Sequence, residues 1–258
     1  MDQVIRTELA EGVLRIEIDR PEKKNAFNAG VYRDLSEALA WSERDPRIRV
    51  LLLHGQTGIF SAGHEIQEFS ASTPERAAQL DPIMAFMRQI SGATKPIVAA
   101  VDGHAIGVGA TLLLHCDLVY ASHEACFQFP FVNLGLCPEF GSSYTLLRLA
   151  GHQRASELLM LGEFFSVELA REIGLVNDIV DASSLLEFAM ARAHRLSLQP
   201  AASIRLTKQL LKAHDAEIVA RTIEHEMTCF VGRTRAPEVA EAVAAFTERR
   251  KPDFSRFS

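Results

Sequence analysis

KPIVAAVDGHAIGVGATLLLHCDLVYAS, spanning Lys95 to Ser122, decides the fold because its pattern changes three times. Ile97 to Val101 (IVAAV) is apolar at every position, which marks a strand covered on both faces. A Gly-rich turn leads from it into a predicted helix near Thr111 to His115, and Leu118 to Ala121 is a further strand. Alternation of strand and helix implies an α/β layer with a parallel sheet. Towards the N-terminus, Val50 to His54 (VLLLH) repeats the buried-strand pattern, and Met84 to Ile90 has a helical period. Val13, Leu14, Ile16 and Ile18 predict another strand, ended by Arg20-Pro21, before a helical period from Asn28 through Leu35, Leu39 and Trp41. Beyond about residue 140 strands almost vanish, and helices are expected over 143–161, 166–173, 184–197, 201–213, 216–230 and about 237–250. Pro200 and Pro237 are candidate helix starts, so the soft boundary falls near 200 and divides 1–199 from 200–258.

The chain has 258 residues, enough for one large domain or two small ones with a sizeable core. Hydrophobic residues make up 48% and charged residues 23%, which excludes a disordered or collagen-like chain. A formal charge of −6 disfavours nucleic acid or an anionic membrane as the main partner. Four irregularly spaced cysteines form neither a CxxC ribbon nor a disulfide framework, so free thiols in a reducing compartment are expected. The start MDQVIRTELAEG has no apolar signal core, and no apolar run approaches the ~20 residues of a membrane span. The terminal SRFS is not a peroxisomal tripeptide. A soluble, cytoplasmic protein is expected.

Four familiar motifs fail on inspection. GHAIGVGATL (Gly103 to Leu112) follows a strand, but Leu112 replaces the third glycine of a dinucleotide turn, and CFQF about 20 residues on offers no ribose-binding acid. Gly58 and Gly63 have phosphate-loop spacing, yet His64 and Glu65 follow where Lys and Ser/Thr belong. His-Glu pairs at His64, His123 and His225 lack the second histidine of a zinc helix, so no metal is expected, and Cys229 near His225 fits a half-buried helix face better. Ser61 has Ile59 where a nucleophile elbow needs glycine, which argues against a serine hydrolase.

Two small-residue turns at strand ends remain, FSAGHEI (Phe60 to Ile66) and GHAIGVGATL. Each alone fits a plain Gly turn; together they could bring a ligand against main-chain N–H groups aimed at a carbonyl oxygen. A third element is FPFVNLGLCPEFGSSYTL (Phe129 to Leu146), an apolar loop with one carboxylate, Glu139. Flanked by Leu136, Cys137, Pro138 and Phe140, that acid would be partly desolvated and raised toward the range of a general base. The blander account is a solvated loop glutamate, or one complementing the next helix's N-terminus.

Taken in order, RPEKKNAFN (Arg20 to Asn28), FSAGHEI, the Lys95–Ser122 stretch, PFVNLGLCPE and AFTERRKPDF (Ala245 to Phe254) resemble the crotonase, or enoyl-CoA hydratase/isomerase, superfamily along nearly the whole chain. The resemblance implies a crotonase-like ββα spiral over 1–199 and a helical trimerisation region over 200–258, with trimers often paired into hexamers. It implies acyl-CoA thioester substrates and no resident cofactor, CoA being part of the substrate. The oxyanion hole maps onto the backbone N–H groups of His64 and Val108. CoA contacts map onto Lys24, Ala26, Ala62 and Ile66, with Phe246 and Arg249 reaching a neighbouring subunit's ligand. Thr111, Phe131 and Leu136 are expected to wall the acyl pocket.

A departure from the family pattern narrows the chemistry. Hydratases of the family carry two glutamates, at the positions held here by Thr111 and Phe131, so the paired acid and base of hydration are missing. Glu139 matches instead the single catalytic glutamate of the 3-enoyl-CoA to 2-enoyl-CoA isomerases. Three activities stay open: an isomerase, a hydratase or lyase using Glu139 with a second group, and a CoA- or protein-binding module without turnover. Acyl length is left open, since the pocket wall is expected from Glu68 to Arg88.

Overall fold

The computed structural model describes residues 4–70 and 73–257. Its strands fall into a six-stranded and a four-stranded sheet, and the chain alternates between them. β1 (Ile5–Ala10) and β2 (Val13–Ile18) form an antiparallel hairpin before α1 (Ala29–Arg44). Three turns of strand, strand and helix follow: β3 (Val50–His54), β4 (Ile59–Ser61) and α2 (Thr73–Ser91); β5 (Ile97–Val101), β6 (His104–Ile106) and α3 (Val108–Thr111); β7 (Leu118–Ser122), β8 (Cys126–Gln128) and α4 (Ser142–Ala150). The first strand of each turn enters the large sheet and the second enters the small one, which is the expected ββα spiral. Then come α5 (His152–Leu161), β9 (Phe165–Ser166), α6 (Val167–Glu172), β10 (Asp178–Val180) and α7 (Ala182–Ser197). α8 (Ala201–Ala213), α9 (Ala216–Arg233) and α10 (Pro237–Thr247) complete the C-terminal region.

The large sheet runs β1-β2-β3-β5-β7-β10, parallel from β2 onward. Every residue of β3 and β5 is buried because both faces are covered. Leu185, Ala189 and Ala193 of α7 pack on Val50, Leu52, Val98 and Ala100. The opposite face, with Leu51, Leu53, Ile97 and Ala99, joins the main core. Each such leucine contributes roughly 1.5–3 kcal/mol by leaving water.

The sequence reading differs from the structure in specific places. β1, β4, β6, β8, β9 and β10 were not expected; all of them but β1 are three residues or fewer, too short to display a period. The helix expected near Thr111 to His115 starts earlier, at Val108, and tightens into a 3₁₀ turn over Leu112–His115. The stretch 143–161 is two helices parted at Gly151, and the last helix stops at Thr247.

Candidate active site

Glu139 lies between the 3₁₀ turn Val132–Leu134 and α4, with its side chain almost wholly buried. Thr111 Oγ1 donates to its Oε1 at 2.5 Å. Burial drives the Glu139 carboxyl up to about 8; the Thr111 hydrogen bond opposes that rise and the nearby Glu226 adds to it. The next residue, Phe140, adopts a left-handed backbone at φ 63, a conformation costing a non-glycine residue of order 1–3 kcal/mol. His115 holds it there: the two rings stack with centroids 4.4 Å apart, and Nε2 lies 2.7 Å from the Phe140 carbonyl oxygen. Burial pushes the His115 imidazole down to about 4, so it is neutral and its Nε2–H donates.

The two small-residue turns pack directly on each other. Gly63 has φ +83, and a Cβ there would lie 2.6 Å from the Ile106 carbonyl oxygen; one on Gly109 would lie 2.8 Å from Ser61 Cβ. Glycine at both positions therefore permits the approach. Phe27 bonds the residues flanking His64, donating to the Gly63 carbonyl and accepting from Glu65 N–H, so the His64 N–H turns the other way. Val108 begins α3, where a first-turn N–H has no partner within the helix. His64, Val108 and Glu139 all line one cavity of about 100 Å³.

Among the described residues, the cavity lining is apolar apart from Glu139, Tyr32 and His64, and its walls include Ile83, Met87, Phe131, Leu136, Met227 and Phe230. The His64 side chain is half-buried against Tyr32, whose hydroxyl oxygen is 3.4 Å from Nδ1, while Nε2 is 3.3 Å from Glu68. Burial lowers its imidazole to about 4, which leaves it neutral at ordinary pH.

Ala62 and Ile66 also line the cavity. Lys24 and Ala26 do not, but their loop is stitched to the same turn: Ala62 N–H donates to the Lys24 carbonyl at 2.9 Å, and Ser61 Oγ donates to the Asn25 carbonyl at 2.9 Å. Thr111, expected as a pocket wall, is fully buried behind Glu139 and orients it. Phe246 and Arg249 are exposed at the end of α10, away from the cavity of their own chain. Ile83 and Met87 fall within the Glu68–Arg88 stretch expected to wall the pocket, whereas Tyr32, Met227 and Phe230 were missed, because in sequence each is one more apolar or aromatic position of a helix. Among the described residues no cluster of three or more His, Cys, Asp or Glu could hold a metal ion, and no helix is long and apolar enough to cross a membrane.

A buried carboxyl above the ordinary range, facing main-chain donors across an apolar cavity, defines an acid/base site for a carbonyl compound. The sequence model described as Enoyl-CoA hydratase/isomerase matches residues 8–256. The chain belongs to that family, the crotonase superfamily, and is an enoyl-CoA hydratase/isomerase family enzyme. It is 33% identical over 260 residues to 1,2-epoxyphenylacetyl-CoA isomerase of Escherichia coli K12, covering 99% of both chains. It is 29% identical over 243 residues to 2,3-dehydroadipyl-CoA hydratase of the same organism, covering 94% of each. Among solved structures it is similar to Pseudomonas aeruginosa OdaA, with a TM-score of 0.90 and 41% identity, over 96% of this chain and 100% of that one.

Proposed function

We propose that the enzyme isomerises 3-enoyl-CoA thioesters to 2-enoyl-CoA thioesters with Glu139 as its one acid/base group. The observation that supports this reading is the isolation of Glu139: among the described residues it is the only carboxyl lining the cavity, and Thr111 and Phe131 stand where a second one would be needed. Ionised Glu139 removes a proton from C2, and the electron pair moves toward the thioester carbonyl. The resulting dienolate oxygen is held by the N–H groups of His64 and Val108. The electrons then return to close the C2–C3 double bond while the Glu139 carboxyl delivers its proton to C4. One base suffices because the proton that leaves C2 is the one that reaches C4. Each oxyanion donor is worth about 3–4 kcal/mol in the transition state.

In this reading the CoA portion runs along Lys24, Ala26, Ala62 and Ile66, the acyl group enters past Phe131 and Leu136, and no resident cofactor takes part. Hydration of a 2-enoyl-CoA would need a second acid/base group to handle the water. The test is turnover of 3-enoyl-CoA and 2-enoyl-CoA by wild type and Glu139→Gln. Isomerisation by wild type, lost by about 10³-fold or more in the variant with little change in ligand affinity, is expected. Below the Glu139 value near 8, kcat/KM should rise about tenfold per pH unit, since only the ionised base acts. Efficient hydration by wild type, or normal isomerisation by Glu139→Gln, refutes the proposal.

A further inference from the structure

Glu226 lies on α9, one residue before Met227 and one turn before Phe230, both of which line the cavity. Its side chain is 6% exposed, a depth at which an acid needs strong partners. Both oxygens have one: Oε2 accepts the Gly141 N–H at 2.5 Å and Oε1 accepts the Ser143 N–H at 2.8 Å. These amides open α4, whose N-cap position is Gly141 and so has no side chain of its own to cap with. Gly141 is two residues from Glu139, and the Glu139 carbonyl accepts the Ser142 N–H at 3.1 Å. One carboxylate from the C-terminal region thus clasps the turn that holds the candidate base.

We propose that Glu226 is a positioning residue for Glu139, fixing the Glu139–Ser143 turn through its two main-chain bonds and setting the basicity of Glu139 by its negative charge. This rests on the isomerase reading of Glu139. Two main-chain donors favour the ionised form of Glu226, whereas Glu139 has one hydroxyl donor in an apolar cavity. Burial raises the Glu226 carboxyl above its ordinary value, with the Ser143 and Gly141 bonds pulling it back. Among the described residues, the other ionisable groups around the turn include the neutral His115 against Phe140, Tyr32 of α1 beside Glu139, Tyr144 of α4 bonded to Asp215, Cys137 on the loop, and Cys229 and Arg233 on α9. Arg233 is engaged by the Gly135 carbonyl and Glu238, and Arg88 of α2 is 3.2 Å from Glu224. Glu226 is the acid whose charge adds to the rise of the Glu139 carboxyl.

A plain helix cap would lower stability when removed and leave the pH profile alone; a positioning anion moves both the rate and the profile. In Glu226→Gln, kcat for 3-enoyl-CoA should fall about tenfold with KM changed less than about threefold. The acid limb of kcat/KM should move down by about half a pH unit or more, because loss of the anion eases ionisation of Glu139. Glu226→Asp keeps the charge but cannot span both amides, so kcat should fall while the limb stays within about 0.2 units of wild type. An unmoved limb or an unchanged kcat in Glu226→Gln overturns the proposal. If that variant does not fold, a wild-type kcat or a displaced limb in Glu226→Asp does so. Titration of the Glu139 carboxyl by NMR in the free proteins reads the same shift without substrate. A failure of wild type to isomerise 3-enoyl-CoA would thus remove the functional reading and leave this one separately decided.

Discussion

Thr111 supplies Glu139 with one hydrogen bond where burial denies it a counter-ion, and the consequence reaches stability as well as catalysis. Its value in the folded chain, about 8, lies above the ordinary 4.5. Between these values the folded chain keeps a proton that the unfolded chain has released, so stability falls as pH rises, by at most about 1.4 kcal/mol per unit. Glu139→Gln should flatten that slope and raise Tm at pH 8, measured by calorimetry from pH 5 to 8; an unchanged slope would show that Glu139 is ionised in the fold. A weaker slope of the same sign remains from Glu226, whose carboxyl burial also raises. At the oxyanion turns, only main chain is used, so His64→Ala should keep kcat within about fivefold, whereas Val108→Pro should cost about 10²-fold or more by removing a donor. A His64→Ala loss as large as that of Glu139→Gln would give the imidazole a chemical role. Glu139 was legible because its apolar neighbours stand beside it in the chain. The burial of His64 was not, since its partner Tyr32 is 32 residues away and marked only by the helical period around it.

At the scale of elements, legibility followed length and covering. β3 and β5 announce themselves because helix α7 and the main core cover opposite faces, leaving no polar position in either run except His54. β4, β6 and β8 have three residues each, and their placement depends on how two turns approach rather than on any run of side chains. That approach gives an element-scale prediction. Gly63→Ala would need a left-handed backbone and put its Cβ 2.6 Å from the Ile106 carbonyl. The turns must separate, so a loss of about 1–3 kcal/mol in chemical denaturation is expected, together with a fall in kcat larger than that of His64→Ala. Equal kcat in Gly63→Ala and wild type would mean that the spacing of the turns is not what aims the His64 N–H. On the far side of the sheet, Lys208 of α8 bonds the Lys95 carbonyl and Asp117, each at 2.7 Å. The helix is thereby tied to the start of β5, with its charged side inward.

For the molecule as a whole, that inward tie leaves the apolar side of α8 in water: Leu206, Leu210 and Leu211 are 54%, 62% and 78% exposed. Together with the trimerisation that the family resemblance implies for this region, the face supports the proposal of a homotrimer or a pair of trimers, and light scattering should give three or six times the 28.5 kDa chain mass. Leu210→Asp should shift that mass toward the single chain; a monomeric wild type at micromolar concentration would refute the assembly. The same variant decides how Arg249 works. Arg249 is exposed just past α10 and outside the cavity of its own chain, so a contact with the CoA phosphate end is expected to be made on a neighbour's ligand. Arg249→Ala in the assembled enzyme should then raise KM about three- to tenfold with kcat within about twofold, because the contact is remote from the reacting carbons. In a Leu210→Asp background the neighbour is gone, so adding Arg249→Ala should change KM no further. An Arg249→Ala effect that persists undiminished in the monomer would place the arginine on its own chain's ligand, whereas no effect in the assembled enzyme would remove it from the CoA site.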